Sequence, residues 1–261
     1  MDMKDVKSIT IPEGSVKKIE DSNGNIIWGS QDAYPYRRLE YIYFSGTNEY
    51  IQEDFSLANK QRKMMLEYDL GAFVNNMTLM GQYDASATDA RRRLYVVRYN
   101  TSNNQLRVAV GNTFGATINP SLNTKYKSTV EYTSASAPTL KVKVEQGSTT
   151  LVDTTVTQSG QTSVTGLGAI GRIGATVEKD SSGNVIGPLH FWTGKLYKYE
   201  KDRTDTNVNQ NNQWPAQRKS DGVCGLYDTT NGNFYPMTGT TITSGAAGPV
   251  VDEYWDLTAP S

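Results

Sequence analysis

Met64-Met65-Leu66-Glu67-Tyr68-Asp69-Leu70 alternates: positions 64, 66, 68 and 70 are apolar or aromatic, and 67 and 69 are acidic. A period of two puts one set on a buried face of an extended chain and the other in water. By this reading Glu67 and Asp69 share the wet face. The same beat recurs in Leu106, Val108 and Val110 around Arg107, and in Leu140, Val142 and Val144 around Lys141 and Lys143. Tyr126, Val130 and Tyr132 line one face of another run. One face in a core and one in solvent is the mark of antiparallel sheets. Between such runs stand Ser22-Asn23-Gly24-Asn25, Thr101-Ser102-Asn103-Asn104, Asp180-Ser181-Ser182-Gly183-Asn184 and Thr230-Asn231-Gly232-Asn233. These residue types tolerate the backbone angles of tight turns. No stretch carries a 3.6-residue period across three turns. The sequence therefore predicts an all-β fold, an antiparallel jelly-roll sandwich, with a fibre of stacked β modules as the alternative.

Composition narrows the chemistry. The 261 residues include 26 Lys and Arg against 27 Asp and Glu, a formal net charge of −1. That balance lacks the basic excess of a nucleic-acid binder. One Cys and one His exclude, within one chain, a disulfide framework or a structural zinc site built from those residues. The start, Met1-Asp2-Met3-Lys4-Asp5, is charged and precedes no apolar signal segment, and no run of apolar residues is long enough to span a bilayer. The expectation is a soluble product of the cytoplasm, with no membrane insertion.

Four zones follow. Residues 1–30 read as a small β-hairpin leader carrying Ile9, Ile11, Val16, Ile19, Ile26, Ile27 and Trp28. Two or three short strands cannot bury enough surface to be stable alone. The leader is therefore expected to dock its apolar residues on another surface, with Trp28 as anchor. Residues 31–37 read as a linker, 38–240 as the main sandwich and 241–261 as a tail. Val250-Val251 and Tyr254-Trp255 make that tail too apolar to be purely solvated.

Candidate catalytic groups are sparse. His190 reads as a strand-end residue, and Cys224, flanked by apolar residues and Gly, as a buried one. The catalytic alternatives to these readings are a Cys–His dyad and a glycosidase acid pair, Glu67 and Asp69 or Glu200 and Asp202. The expectation is no enzymatic activity, no cofactor and no metal, although Asp69, Asp84, Asp89 and Asp180 could join a calcium site. Gly166 to Gly171 matches a dinucleotide fingerprint by letter, without its strand–helix context. Arg91, Arg92 and Arg93 form the basic cluster and are candidates for a phosphate or an acidic glycan. Aromatic residues are frequent. Trp192 and Tyr197 read as core; Trp214, inside a polar stretch, reads as an exposed or interfacial ring able to stack on a sugar or a partner.

Three segments carry a family resemblance. Arg38-Leu39-Glu40-Tyr41-Ile42-Tyr43-Phe44-Ser45-Gly46-Thr47-Asn48-Glu49-Tyr50-Ile51 resembles the opening of laminin-G-like, concanavalin A-like modules in virion proteins of gut bacteriophages. Phe191-Trp192-Thr193-Gly194-Lys195-Leu196-Tyr197 is similar to their late strand, with one extra residue before the Gly. Asp221 to Tyr235, with Gly225-Leu226-Tyr227-Asp228 and Thr230-Asn231-Gly232-Asn233, is similar to their closing hairpin. The leader also resembles short modules on phage tail and fibre proteins. The resemblance implies a concanavalin A-like jelly roll for display or adhesion on a virion: head fibre, tail fibre, tail tip or capsid decoration. It further implies a homo-oligomer, a trimer among the options, attached to other virion proteins through residues 1–30 and contacting a cell-surface glycan. The alternatives are a free-standing bacterial carbohydrate-binding module and, third, a jelly-roll glycosidase.

Overall fold

The computed structural model describes residues 18–20, 26–29, 35–53, 62–84, 93–110, 113–133, 139–157, 171–203, 211–230, 232–239 and 247–252. Strands are numbered in chain order. β1 (Lys18–Glu20) and β2 (Ile26–Gly29) pair antiparallel as a two-stranded sheet, with Ile19 opposite Trp28. Ile9, Ile11 and Val16 lie outside the described residues.

The remaining strands form two sheets. The first contains β3 (Tyr36–Leu39), β4 (Ile42–Ser45), β6 (Arg62–Tyr68), β11 (Tyr126–Thr133), β12 (Thr139–Gln146) and β13 (Thr149–Thr157). It continues with β17 (Thr193–Arg203), β18 (Asn211–Arg218), β19 (Cys224–Asp228), β20 (Phe234–Thr238) and β21 (Val250–Asp252). The order across it is β13, β12, β11, β6, β17, β18, β19, β20, with β4 beside the first half of β17 and β3 beside the end of β18. The second sheet contains β5 (Tyr50–Glu53), β7 (Thr78–Asp84), β8 (Arg93–Asn100), β9 (Gln105–Val110), β10 (Thr113–Ile118), β14 (Gly171–Ile173), β15 (Ala175–Lys179) and β16 (Val185–Leu189). β20 pairs with β19 on one side and β5 on the other, so it joins the two sheets. β15 runs parallel to β7; every other pairing among the described strands is antiparallel. The chain passes repeatedly from one sheet to the other, and the all-β jelly-roll sandwich expected from the alternation is the observed architecture.

The sheet extends beyond the expected domain limits at both ends. Tyr36 and Arg37, at the end of the expected linker, pair with Arg218 and Gln217. Val250, in the expected tail, pairs with Leu39, and Ala247 bridges Ile42. The physical reason is that β3 would otherwise leave one backbone edge unpaired over a buried Leu39.

The core lies between the sheets. Met64, Leu66, Tyr68 and Leu70 are all buried in it, as are Leu140, Val142 and Val144. Trp192 fills its centre, edge-on to Tyr68 at 5.7 Å. The Tyr68 hydroxyl, driven well above its ordinary pKa by burial, shares a 2.9 Å hydrogen bond with buried Ser128. Turn chemistry follows the sequence: a 3-10 turn at Thr101–Asn103 ends on Asn104 with φ of 48°, linking β8 to β9. Buried Glu49 closes the turn after β4 by accepting from the Ser45 amide at 3.2 Å and the Ser45 hydroxyl at 2.7 Å.

Candidate functional site

The outer face of the first sheet gathers aromatic rings and cations. Its geometry begins with an irregularity in β17. Against β6 the register shifts between Leu196 and Lys198. Leu196 and Tyr199 point into the core, so Tyr197 and Lys198 both reach the outer face. A bulge of this kind re-aims side chains that strict alternation would bury. Tyr197, expected in the core, is thus half-buried on the outside, whereas Trp192 is in the core as expected.

Asp69 corrects a second expectation. Strand alternation puts it on the wet face with Glu67, yet it is 2% exposed. It follows the end of β6, where the strand alternation no longer governs it. Its Oδ1 accepts the Lys195 amide at 2.8 Å and its Oδ2 the Tyr197 hydroxyl at 2.9 Å. The Lys195 ammonium lies 3.8 Å away, and the Asp69 carbonyl accepts the Trp192 indole N–H at 3.1 Å. Burial first, then the hydrogen bond to the Asp69 carboxylate, pushes the Tyr197 hydroxyl far above its ordinary pKa. It remains a protonated donor at neutral pH.

Around this bracket the rings and cations interleave. Tyr41 meets Tyr197 edge-on at 5.7 Å. The Lys195 ammonium sits over Tyr41 at 4.6 Å and that of Lys125 over Tyr197 at 4.5 Å. Lys125 also bonds Glu67 at 2.9 Å. On β18, Trp214 lies opposite Tyr227. Its ring packs on the small cluster of Ala216 and Tyr227, beside Tyr36 and Phe234. Arg38 lies over the Trp214 ring at 4.1 Å and Lys198 at 4.3 Å, and Lys198 is paired with Glu200. Trp214 is therefore half-buried and attended by two cations, not a bare exposed ring. Cation–π attraction, about 0.5–1 kcal/mol at exposed sites, accounts for the arrangement.

Between these groups runs a groove of about 450 Å³, lined by Arg38, Glu40, Glu67, Lys125, Tyr197 and Trp214, with Leu39 and Val251 beside them. That volume lies within the range of roughly 300–1,000 Å³ typical of small-molecule sites. The lining can stack on an apolar face, donate to an anion and accept from hydroxyls.

The other sequence candidates fall elsewhere. Arg91 and Arg92 lie outside the described residues; Arg93 opens β8. Of the Gly166 to Gly171 stretch, Gly171 is described and opens β14. Half-buried His190 sits just past β16, its Nε2 3.2 Å from Glu178 Oε1. Cys224 is fully buried, and burial pushes its thiol up to about 11, which keeps it a thiol at neutral pH. Among the described residues no group of three or more His, Cys, Asp and Glu is placed to hold a metal ion, and no helix is long and apolar enough to cross a membrane. The sequence carries no site motif at Arg38, Glu40, Lys125 or Lys198. The signal available for Lys198 was the break in alternation at Tyr197-Lys198; Arg38 carried none beyond lying two residues from Tyr36.

Comparison with known proteins adds the following. No protein-family model matches the chain, and no curated protein matches it. Among solved structures, the chain is similar to a native heptameric SAP-like pentraxin from Limulus polyphemus, with 16% identity and a TM-score of 0.40 over 63% of this chain and 76% of that one. It is also similar to a Bacteroides ovatus protein described as carbohydrate-binding, with 16% identity and a TM-score of 0.46 over 82% of this chain and 62% of that one.

Proposed function

We propose that this chain is a non-enzymatic adhesion module of a bacteriophage virion, a lectin-like jelly roll that holds a glycan in the groove beside Trp214. The observation that carries the reading is that groove: aromatic surface, cations and carboxylates on one sheet face, in the combination that sugar rings require. The virion setting is supported by the resemblance of Arg38 to Ile51 and of Asp221 to Tyr235 to phage modules. Residues 1–30 then attach the module to a capsid, tail or sister subunit by strand addition.

The test has two arms. Full-length protein is screened against arrays of bacterial-surface, plant and mucosal glycans, and the same preparations are assayed for release of reducing ends. Binding that is lost in Trp214→Ala, with no release of reducing ends, supports the reading. Absence of binding across the arrays, or hydrolysis, overturns it. Purified phage particles are then analysed for the chain by mass spectrometry. Recovery of the chain in particles supports the virion setting; glycan binding by a chain absent from particles returns the free-standing carbohydrate-binding module.

A further inference from the structure

The cations around the groove are not equivalent. Lys125 has Glu67 at 2.9 Å, Lys195 has Asp69 at 3.8 Å, and Lys198 has Glu200. On the same face Arg218 is held by Asp221 through a 2.6 Å contact. Arg38 differs: its guanidinium rests over Trp214 at 4.1 Å, and its buried Nε meets no hydrogen-bond acceptor among the described residues. β3 carries Arg38 between Ala216 of β18 and Asp252 of β21, and the side chain lines the groove. A guanidinium has five N–H donors in a planar fork and stays charged at every physiological pH. Stacking on an aromatic ring immobilises that fork without using its donors. A cation so placed is preorganised for a planar, two-oxygen anion.

We infer that the groove's ligand is an acidic sugar, and that Arg38 reads its carboxylate. This rests on the proposal that the groove binds a glycan. The other groove groups fit the remainder of such a ligand. Exposed Glu40 is available to accept sugar hydroxyls, and Tyr197 and Trp214, with the cations over their rings, form the aromatic part of the groove wall. Glu67 is held by Lys125, and Glu40 balances Arg38 in formal charge across the groove, so the preference rests on the Arg38 fork and not on net charge. A neutral sugar offers hydroxyl oxygens to the same donors but not the charge-assisted, two-oxygen pair of a carboxylate.

The experiment is calorimetric titration of the full chain with two matched pairs: oligogalacturonate against its methyl ester, and sialyllactose against its carboxyl methyl ester. Each pair differs in the carboxylate. Arg38→Gln and Arg38→Lys are titrated beside wild type, with melting curves for all three. The expected result is a preference of at least about tenfold for the acid member of one pair, abolished in Arg38→Gln and reduced in Arg38→Lys, which keeps the charge and loses the fork. The pair that shows it separates a uronate from a sialate. Equal affinity for acid and neutral members, or a preference that survives in Arg38→Gln, overturns the inference and leaves the groove reading standing. So does binding confined to neutral glycans. Failure of every probe and of the whole array overturns both.

Discussion

Asp69 joins the core to the groove through one carboxylate. It orders β17 by accepting the Lys195 amide and fixes the Tyr197 ring by accepting its hydroxyl. Asp69→Ala strands both donors, at about 1–3 kcal/mol for each unmet buried group. The expected loss is about 2–4 kcal/mol in urea unfolding, with groove binding weakened in parallel; a variant within 0.5 kcal/mol of wild type, on the order of ordinary surface substitutions, would contradict this role. Gly46 is the residue that lets the chain turn after β4. Its φ is +84°, and a β-carbon there would lie 2.1 Å from the Thr193 hydroxyl oxygen. Gly46→Ala is expected to destabilise by about 1–3 kcal/mol, read as a lower denaturant midpoint. Cys224 adds a pH dependence. Its folded pKa is raised, so its contribution is intact below the ordinary value of 9.0 and is lost as pH rises toward about 11. The unfolded thiol ionises in that window while the folded one does not, which costs about 2 kcal/mol by its upper end. Stability measured at pH 8 and pH 10.5 should fall less in Cys224→Ala than in wild type; equal falls would remove the thiol as a cause.

Among elements, β17 decides the site. Its first half pairs with β4 and its second with β18, with the register shift between them. That shift delivers Tyr197 beside Lys125 and Lys198 beside Trp214. A regular strand would have sent one of the two inward. The leader behaves differently. β1 and β2 pair with each other as a separate two-stranded sheet, whereas β3 is bound between β18 and β21. Deleting residues 1–34 is therefore expected to leave the melting temperature of the sandwich within about 3 °C of the full chain, the shift that roughly 1 kcal/mol produces in a domain of this size. Glycan binding should persist and particle association should be lost. An unfolded or insoluble 35–261 protein would show that the leader is an integral part of the sheet.

At the scale of the whole molecule the sandwich rests on apolar packing between two sheets, with Trp192, Tyr68, Tyr199 and Phe44 among its largest buried side chains. No clustered ligand set contributes among the described residues. Addition of a chelator is expected to leave the melting temperature unchanged. A drop of more than about 10 °C, a few kcal/mol for a domain of this size, would reveal a structural ion.

The alternation around Met64 to Leu70 and Leu140 to Val144 is local information, because side-chain direction in a strand depends on parity alone. It suffices to give the all-β class, the buried faces and the Asn- and Gly-bearing turns at Asn104 and between β15 and β16. It fails where parity breaks: at Asp69, just past a strand end, and at Tyr197, on a bulge. It also cannot report neighbours across a sheet. Arg38 meets Trp214, and Lys125 meets Tyr197, because β3, β17 and β18 are brought side by side by long-range pairing. Arg38, Lys125 and Tyr197 alone read as ordinary polar or aromatic positions on a strand or turn, whereas Trp214 is marked by its polar surroundings. Only their juxtaposition, set by register between distant segments, turns a solvated sheet face into a groove with a guanidinium stacked on a ring and without an ion pair among the described residues, and register of that kind is fixed by the packing of the assembled core.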